Sequence, residues 1–498
     1  MGVVFRQSLK GTVTNLIGAG IGFVSTFFVI TRLLTPEEIG LTRVLVEAAT
    51  LIGGYALLAT QSSSIRYYPH FKSADGRDGG FLRLLLGIPL VGLILFGILY
   101  LVLRPPLESY FAPDTGSDLF ARYYYTVLPL MLFIMYQTVL EVYCSLKQRI
   151  VIPKMSREVV LRLLLLTAYI VYGAGWVTFD RFIGLFIVSY GLMMVITLRY
   201  ALKITPGRLG TPVAAIPQGL KRDFAVYTSF TVLSALGGSV VQRLDLFMVS
   251  AELGMASAGI YTIAFFVVAV IEMPSRSLST MSSPFASEAI HKGDTHRLNH
   301  IFRQVSGNQL LVGILLLLAI WVNIDTLFWV IPNGSIYSEG KWVVLFLGLG
   351  KLIDLTFSFG NAILRYSKHY FWTLAYTVIV LAVTILLNLY LIRLWGMSGA
   401  AVATLITYAL SYAFQQLVLW RKMKVSPVNK EMALMLLIFA VLMVADSLLP
   451  HWGAPLVDSV WRSIVIGIFG WILFGKLPTF RQLVAQSKAA IGSITKRN

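Results

Sequence analysis

Fourteen apolar stretches of about 20 residues, joined by short connections, constrain this chain more than any other feature. A bilayer core of ~30 Å takes ~20 helical residues to cross. Inside it every backbone polar group needs an internal partner, so such a chain folds as a bundle of spanning helices. The stretches are 12–34, 39–60, 81–103, 121–145, 159–178, 182–202, 224–250, 258–281, 308–331, 342–363, 370–392, 396–420, 431–449 and 458–475. Turn residues separate them, among them Thr35-Pro36-Glu37-Glu38, Arg104-Pro105-Pro106, Pro206-Gly207, Pro332-Asn333-Gly334 and Ser426-Pro427. The content of 57% hydrophobic and 13% charged residues excludes a water-soluble globule, which carries ~25% charge, and excludes disorder. The expected class is an all-α polytopic membrane protein with about fourteen transmembrane helices and both termini cytoplasmic. The first stretch is too long for a signal-peptide core and lacks a small-residue cleavage site. The single cysteine, Cys144, gives neither an internal disulfide nor a cysteine metal site.

A net charge of +18 would suggest nucleic acid in a soluble protein. With both termini inside, 31 of the 41 Lys and Arg fall on inside loops, tails and the helix ends beside them, 8 (Arg43 among them) on outside connections and the helix ends beside them, and 2 (Arg243 and Lys351) deeper within spans. That asymmetry is the positive-inside pattern, and it accounts for the basicity with no nucleic-acid partner.

An internal repeat organises the chain. Leu34-Thr35-Pro36-Glu37-Glu38-Ile39-Gly40-Leu41 joins the first two spans and Leu253-Gly254-Met255-Ala256-Ser257-Ala258-Gly259-Ile260 joins the seventh and eighth. They superpose at an offset of 219 residues, Gly40 on Gly259. Both halves start inside, which implies a parallel repeat of six helices. The expected organisation is an N-lobe over 1–205, a cytoplasmic linker over 206–223, a C-lobe over 224–424, helices 13 and 14 over 425–475 and a cytoplasmic tail over 476–498.

The spans carry Arg43, Glu47, Glu141, Arg243, Asp245, Glu272, Lys351 and Asp354. Each charge at mid-bilayer costs ~2.5–3.5 kcal/mol on insertion scales, so these groups must face one another or water. In the tenth span Lys351, Asp354, Ser358, Asn361 and Arg365 recur at helical spacing as one polar stripe. Tyr227, Thr231, Ser234, Gly238, Gln242 and Asp245 do the same in the seventh. Local pairing (Lys351 with Asp354, Arg43 with Glu47, Arg243 with Asp245) is the structural alternative, yet the stripes hold more polar groups than such pairs use. Gly18 and Gly22 suit helix packing as readily as a cavity wall. Pro274 would bend the eighth span as a hinge.

A water-lined cavity with these residues suits an anionic, sugar-like substrate. Arg43, Arg66, Arg243, Arg276, Lys351 and Arg365 would bind phosphate, and Asn361 would bind hydroxyls. Glu47, Asp245, Glu272 and Asp354 would take a coupling proton or sodium ion. No catalytic residue, metal or organic cofactor is expected. The histidines His291, His296 and His300 stand among Lys292, Arg297 and Arg303, which reads as a solvated basic helix rather than a metal site. No nucleotide-binding Gly-Lys-Ser/Thr loop is present.

Five segments carry a family likeness: Ile17-Gly18-Ala19-Gly20-Ile21-Gly22, the Leu34–Leu41 turn, Ile65-Arg66-Tyr67-Tyr68-Pro69, Asn361-Ala362-Ile363-Leu364-Arg365-Tyr366 and Gly396-Met397-Ser398-Gly399-Ala400-Ala401-Val402-Ala403-Thr404. In these the chain resembles the Wzx-type polysaccharide exporters of the multidrug/oligosaccharidyl-lipid/polysaccharide exporter superfamily. The resemblance implies two six-helix lobes plus two helices in the bacterial cytoplasmic (inner) membrane. It also implies alternating-access flipping of undecaprenyl-diphosphate-linked oligosaccharide to the outer leaflet for O-antigen, capsule or exopolysaccharide synthesis. Membrane lipid, and a polysaccharide polymerase with its chain-length protein, would be partners of a monomer. The related lipid II flippases place a sodium site where Asp245, Asn388 and Thr404 stand here. Their second acidic ligand is replaced by Ile392, and their mid-span arginine in the first helix has no counterpart, which argues against lipid II as substrate. Two rivals remain: a membrane glycosyltransferase, polymerase or ligase, disfavoured by the short outer connections, and a drug/cation antiporter, disfavoured by the cationic lining.

Overall fold

The computed structural model describes residues 14–58, 60, 64, 68, 80–111, 119–205, 218–367, 369 and 371–485, the side chains of 218–242, 273–281, 283, 284, 366, 374 and 375 excepted. Every regular element among them is helical. Among the described residues, eleven helices are long and apolar enough to cross a membrane. Two of the long helices are each broken once into two arms: Gln218–His291 at Gly254 (φ 86°, ψ 172°), and Phe371–Met423 at Trp395–Gly396 (Gly396 φ 57°, ψ −136°). Both glycines occupy backbone conformations that a side chain disfavours, so one residue ends one span and begins the next. With these arms and the segment 151–173, the helices occupy the fourteen stretches marked by hydropathy.

We number them α1 (Thr14–Leu33), α2 (Pro36–Ala56), α3 (Phe81–Val102), α4 (Tyr124–Leu146), α5 (151–173), α6 (Phe179–Ile204), α7 (218–253) and α8 (255–291). They continue as α9 (Thr295–Val322), α10 (Gly334–Arg365), α11 (371–394), α12 (397–423), α13 (Lys430–Leu448) and α14 (Pro455–Phe474). Helix α5 begins eight residues earlier than the apolar stretch suggests. It opens with Val151–Met155, passes through a π-helical turn at Ser156–Val160 and ends at Gly173. Lys154 and Arg157 therefore sit on a helix rather than in a loop, because Pro153 falls within the first turn, where its missing N–H costs nothing.

The chain divides into two compact units, Met1–Gly259 and Ile260–Asn498. In the first, α2 packs on α4 and α3, and α6 on α4 and α5. Its buried centre includes Leu41, Leu45, Tyr124, Leu130, Tyr143 and Phe182. In the second, α10 packs on α9 and on the Phe371–Met423 helix. Phe302, Phe359, Ile363 and Leu419 close one end of its core.

Outward faces are as informative. Val91, Ile94, Leu95 and Ile98 on α3 are exposed, as are Leu437, Val441 and Val444 on α13 and Val460, Ile464, Ile468 and Trp471 on α14. Soluble proteins rarely leave such continuous apolar faces uncovered, whereas hydrocarbon solvates them at no cost. The protein is a multi-pass membrane protein. At the ends of α13 and α14, the buried Arg462 binds Asp446 at 2.7 Å, while Ser459 and Ser463 donate to Asn323 at the end of α9.

Candidate functional site

The first unit gathers its charges through the start of α2. Thr35 accepts from the Glu38 N–H, and Glu38 accepts in return from the Thr35 N–H at 2.9 Å. This reciprocal cap, with Pro36 at the first helical position, sets where α2 begins. Arg43 and Glu47 then lie one turn apart on one face, 2.7 Å from each other. The other Glu47 oxygen accepts from Nε of Arg243, on α7, at 2.6 Å. One carboxylate thus bridges two guanidinium groups from different helices, with Glu47 only 14% exposed. Such charge-assisted bonds are short and strong.

Nearer the cytoplasmic end, Arg157 binds Glu141 at 2.8 Å and Glu158 at 3.2 Å. Arg162 binds Glu158 at 3.0 Å and donates to the Gly18 carbonyl. A Cβ at Gly18 would press on the Glu158 backbone, and one at Gly22 on the Arg162 guanidinium. These two glycines let α1 approach α5 closely, the packing role left open by their spacing. The Glu158–Arg162 spacing of four residues was the available signal for this network; starting the fifth stretch at 159, one residue after Glu158, hid it.

In the second unit the arrangement is inverted. Lys351 on α10 lies 2.9 Å from Asp354 and 3.2 Å from Glu272 on α8. The phenol of Tyr412, on α12, donates to the second Asp354 oxygen at 2.6 Å. Here an ammonium sits between two carboxylates, 17% exposed. The stripe on α10 is realised. Lys351, Asp354, Ser358 and Asn361 are half-buried and Arg365 is exposed, while Leu352, Leu355, Phe359 and Ile363 on the other faces are buried. Asn361 pairs with Gln415 of α12 at 2.6 Å, away from Lys351 along the stripe.

The other expected residues fall as follows. Asp245 is half-buried on α7 in the first unit, and Asn388 and Thr404 belong to the second. Asn388 is fully buried and its amide donates to the Thr384 carbonyl of its own helix at 2.9 Å. Arg66, and the side chains of Arg276 and Pro274, lie outside the described residues, as do those of the α7 stripe before Asp245. Tyr412 was missed by sequence reasoning, since a tyrosine in an apolar helix is indistinguishable from an interfacial one until its partner is known. Outside the spans, Lys292 and then Arg297 hold the exposed Glu288 carboxyl below its ordinary range.

Comparison with known proteins places this geometry in context. The MatE family matches residues 231–391. The "Probable low-salt glycan biosynthesis flippase Agl15" of Haloferax volcanii is 22% identical over 411 residues, covering 82% of this chain and 81% of the relative. Among solved structures, lipid II flippase MurJ in an inward closed conformation aligns over 95% of this chain and 99% of its own, with a TM-score of 0.69 and 13% identity. An inward-facing multidrug resistance MATE family transporter of the MOP superfamily aligns over 84% and 98%, with a TM-score of 0.59 and 12% identity. The chain has the fold these transporters share.

Proposed function

We propose that this chain is an alternating-access flippase that carries an undecaprenyl-diphosphate-linked oligosaccharide from the cytoplasmic to the outer leaflet of a bacterial inner membrane. The observation that carries the reading is the Arg43–Glu47–Arg243 group within the spans. Two guanidiniums held in fixed relation by one carboxylate form a fork for phosphate oxygens, which compete for the same donors. Arg66, Arg276, Lys351 and Arg365 would add cationic contacts and Asn361 a sugar contact. Proton or sodium coupling would fall to Glu47, Asp245, Glu272 and Asp354, with Asn388 and Thr404 as neutral ligands and Pro274 as hinge. The six-helix lobes, over 1–205 and 224–424, would rock as bodies. The fold shared with MurJ and the sequence likeness to a glycan flippase support transport rather than catalysis. A monomer delivering to a polysaccharide polymerase and its chain-length partner completes the reading.

The test is the fate of lipid-linked oligosaccharide after gene deletion. The expected outcome is intact units accumulating on the cytoplasmic leaflet, relieved by the unaltered gene and not by Arg243→Ala at equal protein level. Units that reach the outer leaflet but stay unpolymerised would transfer the role to a glycosyltransferase, polymerase or ligase. The MatE match also favours a second reading, a drug/cation antiporter. Extrusion of cationic dyes by vesicles holding this protein, with lipid-linked sugars unaffected by deletion, would establish that reading instead.

A further inference from the structure

Within the second unit α10 is interrupted. Lys341–Phe357 and Phe359–Tyr366 are separate helices with Ser358 between them. No proline lies in this segment, and Ser358 itself keeps ordinary helical angles (φ −59°, ψ −28°). The Asn361 N–H takes the Ser358 carbonyl at 3.0 Å, three residues back, where an unbroken helix would use the Phe357 carbonyl four residues back. A side chain from α12 fills the missing rung. The carboxamide of Gln415, which is 1% exposed, donates to the Phe357 carbonyl at 3.2 Å and accepts from the Asn361 N–H at 2.9 Å. One amide thus stands between the two backbone groups that a continuous helix joins directly, supplying a donor to one and an acceptor to the other. Gly360 makes the room: a Cβ there would lie 3.0 Å from both the carboxamide and the Leu419 side chain. A side chain inserted into the ladder is a cause of sharp helix kinks, and backbone groups freed inside a bilayer need such a partner.

The break parts two differently packed pieces of α10. On its cytoplasmic side Phe359 and Ile363 pack with Phe302 of α9 and Leu419 of α12. On the other side Lys351 and Asp354 belong to the charged group. Helix α12 holds both pieces with side chains one turn apart, since Tyr412 donates to Asp354 at 2.6 Å and Gln415 fills the rung. A change of charge at Asp354 that loosens Tyr412 therefore reaches Gln415 through a single helical turn. We infer that Gln415 is a positioning residue for transport: its carboxamide holds α10 open at Phe357–Asn361, and its withdrawal closes the rung and straightens the helix. The state of the Lys351 group is passed in this way to the cytoplasmic piece of α10, a two-state element biased from one side chain. This rests on the alternating-access reading above and adds the element that moves within the second unit and the group that controls it.

Hydrogen–deuterium exchange in lipid nanodiscs reads the rung directly. In Gln415→Leu, which keeps the bulk and loses the amide, the Asn361 N–H should bond the Phe357 carbonyl. Exchange in peptides covering 359–361 should then slow about fivefold, the worth of one backbone hydrogen bond. Gly360→Ala, which presses on the carboxamide from α10, should slow it in the same direction by less. Unchanged or faster exchange in Gln415→Leu overturns the proposal, because the break then stands without the inserted amide. Flipping in proteoliposomes should be lost in Gln415→Leu while the melting temperature holds, and undiminished flipping overturns the proposal as well. Gln415→Glu separates positioning from packing, since the protonated acid carries the same donor and acceptor and the carboxylate carries no donor. Relative to the unaltered protein at the same pH, its flipping should be regained at low pH and fall as the pH rises. Flipping lost at low pH as fully as at high pH counts against the amide's role. If the unaltered protein moves no lipid-linked oligosaccharide, the flippase reading fails, while the exchange comparison still decides whether Gln415 holds α10 open.

Discussion

The two charged groups are mirror images in charge. In the first unit a carboxylate, Glu47, bridges two guanidiniums; in the second an ammonium, Lys351, bridges two carboxylates. The scaffold beneath them is duplicated, but the charges are not. Under the offset of 219, Arg43 and Glu47 correspond to Thr262 and Phe266, Glu272 to Gly53, and Lys351 and Asp354 to Leu132 and Met135. The repeat-related glycines, by contrast, keep equivalent roles: Gly40 rests on the Met255 carbonyl and Gly259 on the Pro36 carbonyl. Backbone crossings are dictated by the fold, and so both copies retain them. The ionic groups are not dictated in this way, and each half is free to differ. Under the proposed reading, this contrast would let one unit grip an anion and the other handle a small cation.

Four measurements would break or sharpen that contrast. The largest effect is expected from Lys351→Met, which leaves Glu272 and Asp354 facing each other. Removing one partner of a buried ion pair costs ~3–5 kcal/mol, and partial exposure puts this site at the lower end. Thermal melting of the purified protein should fall accordingly, and transport should be lost. Lys351→Met combined with Asp354→Asn should regain much of the melting temperature without regaining transport. Recovery of both would reduce the group to helix glue.

Next comes Glu47→Gln, which replaces two charge-assisted bonds by neutral ones, with a loss of about 2–3 kcal/mol. Lipid-linked oligosaccharide should accumulate in cells carrying it, and a cell assay indistinguishable from the unaltered gene would detach the first group from the cargo. Tyr412→Phe removes one hydrogen bond to Asp354 and should cost about 1.5 kcal/mol. Its informative readout is ion dependence: a change in the proton or sodium requirement of flipping would assign the second group to coupling, and no change would count against it. The smallest effect should be Thr35→Ala, about 1 kcal/mol from the lost helix cap. It should lower the melting temperature slightly and leave the Arg43–Glu47–Arg243 group working, which flipping rates at a permissive temperature would check.

Much of the arrangement was legible beforehand, for reasons visible in particular residues. The α10 stripe was readable because Lys351, Asp354, Ser358, Asn361 and Arg365 share one helical face, and periodicity is a local property. Lys351–Asp354 and Arg43–Glu47 were readable for the same reason, as neighbours within a turn. The earlier start of α5 was not, since its first two turns hold Pro153, Lys154 and Arg157, which resemble loop residues by composition. Nor was the use of Arg243. Its nearest acid in the chain is Asp245, while the bond observed is to Glu47, 196 residues away.

By itself the sequence determined that this chain lives in a membrane and which stretches of it form the spanning helices. Hydropathy, helix caps and glycine backbone angles act over a few residues, and the chain carries that information in order. Only the tertiary structure decided which charges meet: Glu47 with Arg243, Lys351 with Glu272, and Asp354 with Tyr412. It alone decided, too, that Gly40 and Gly259 lie on each other's helix. A long-range pair has many possible partners of equal chemistry, and the choice among them is made by how the helices pack.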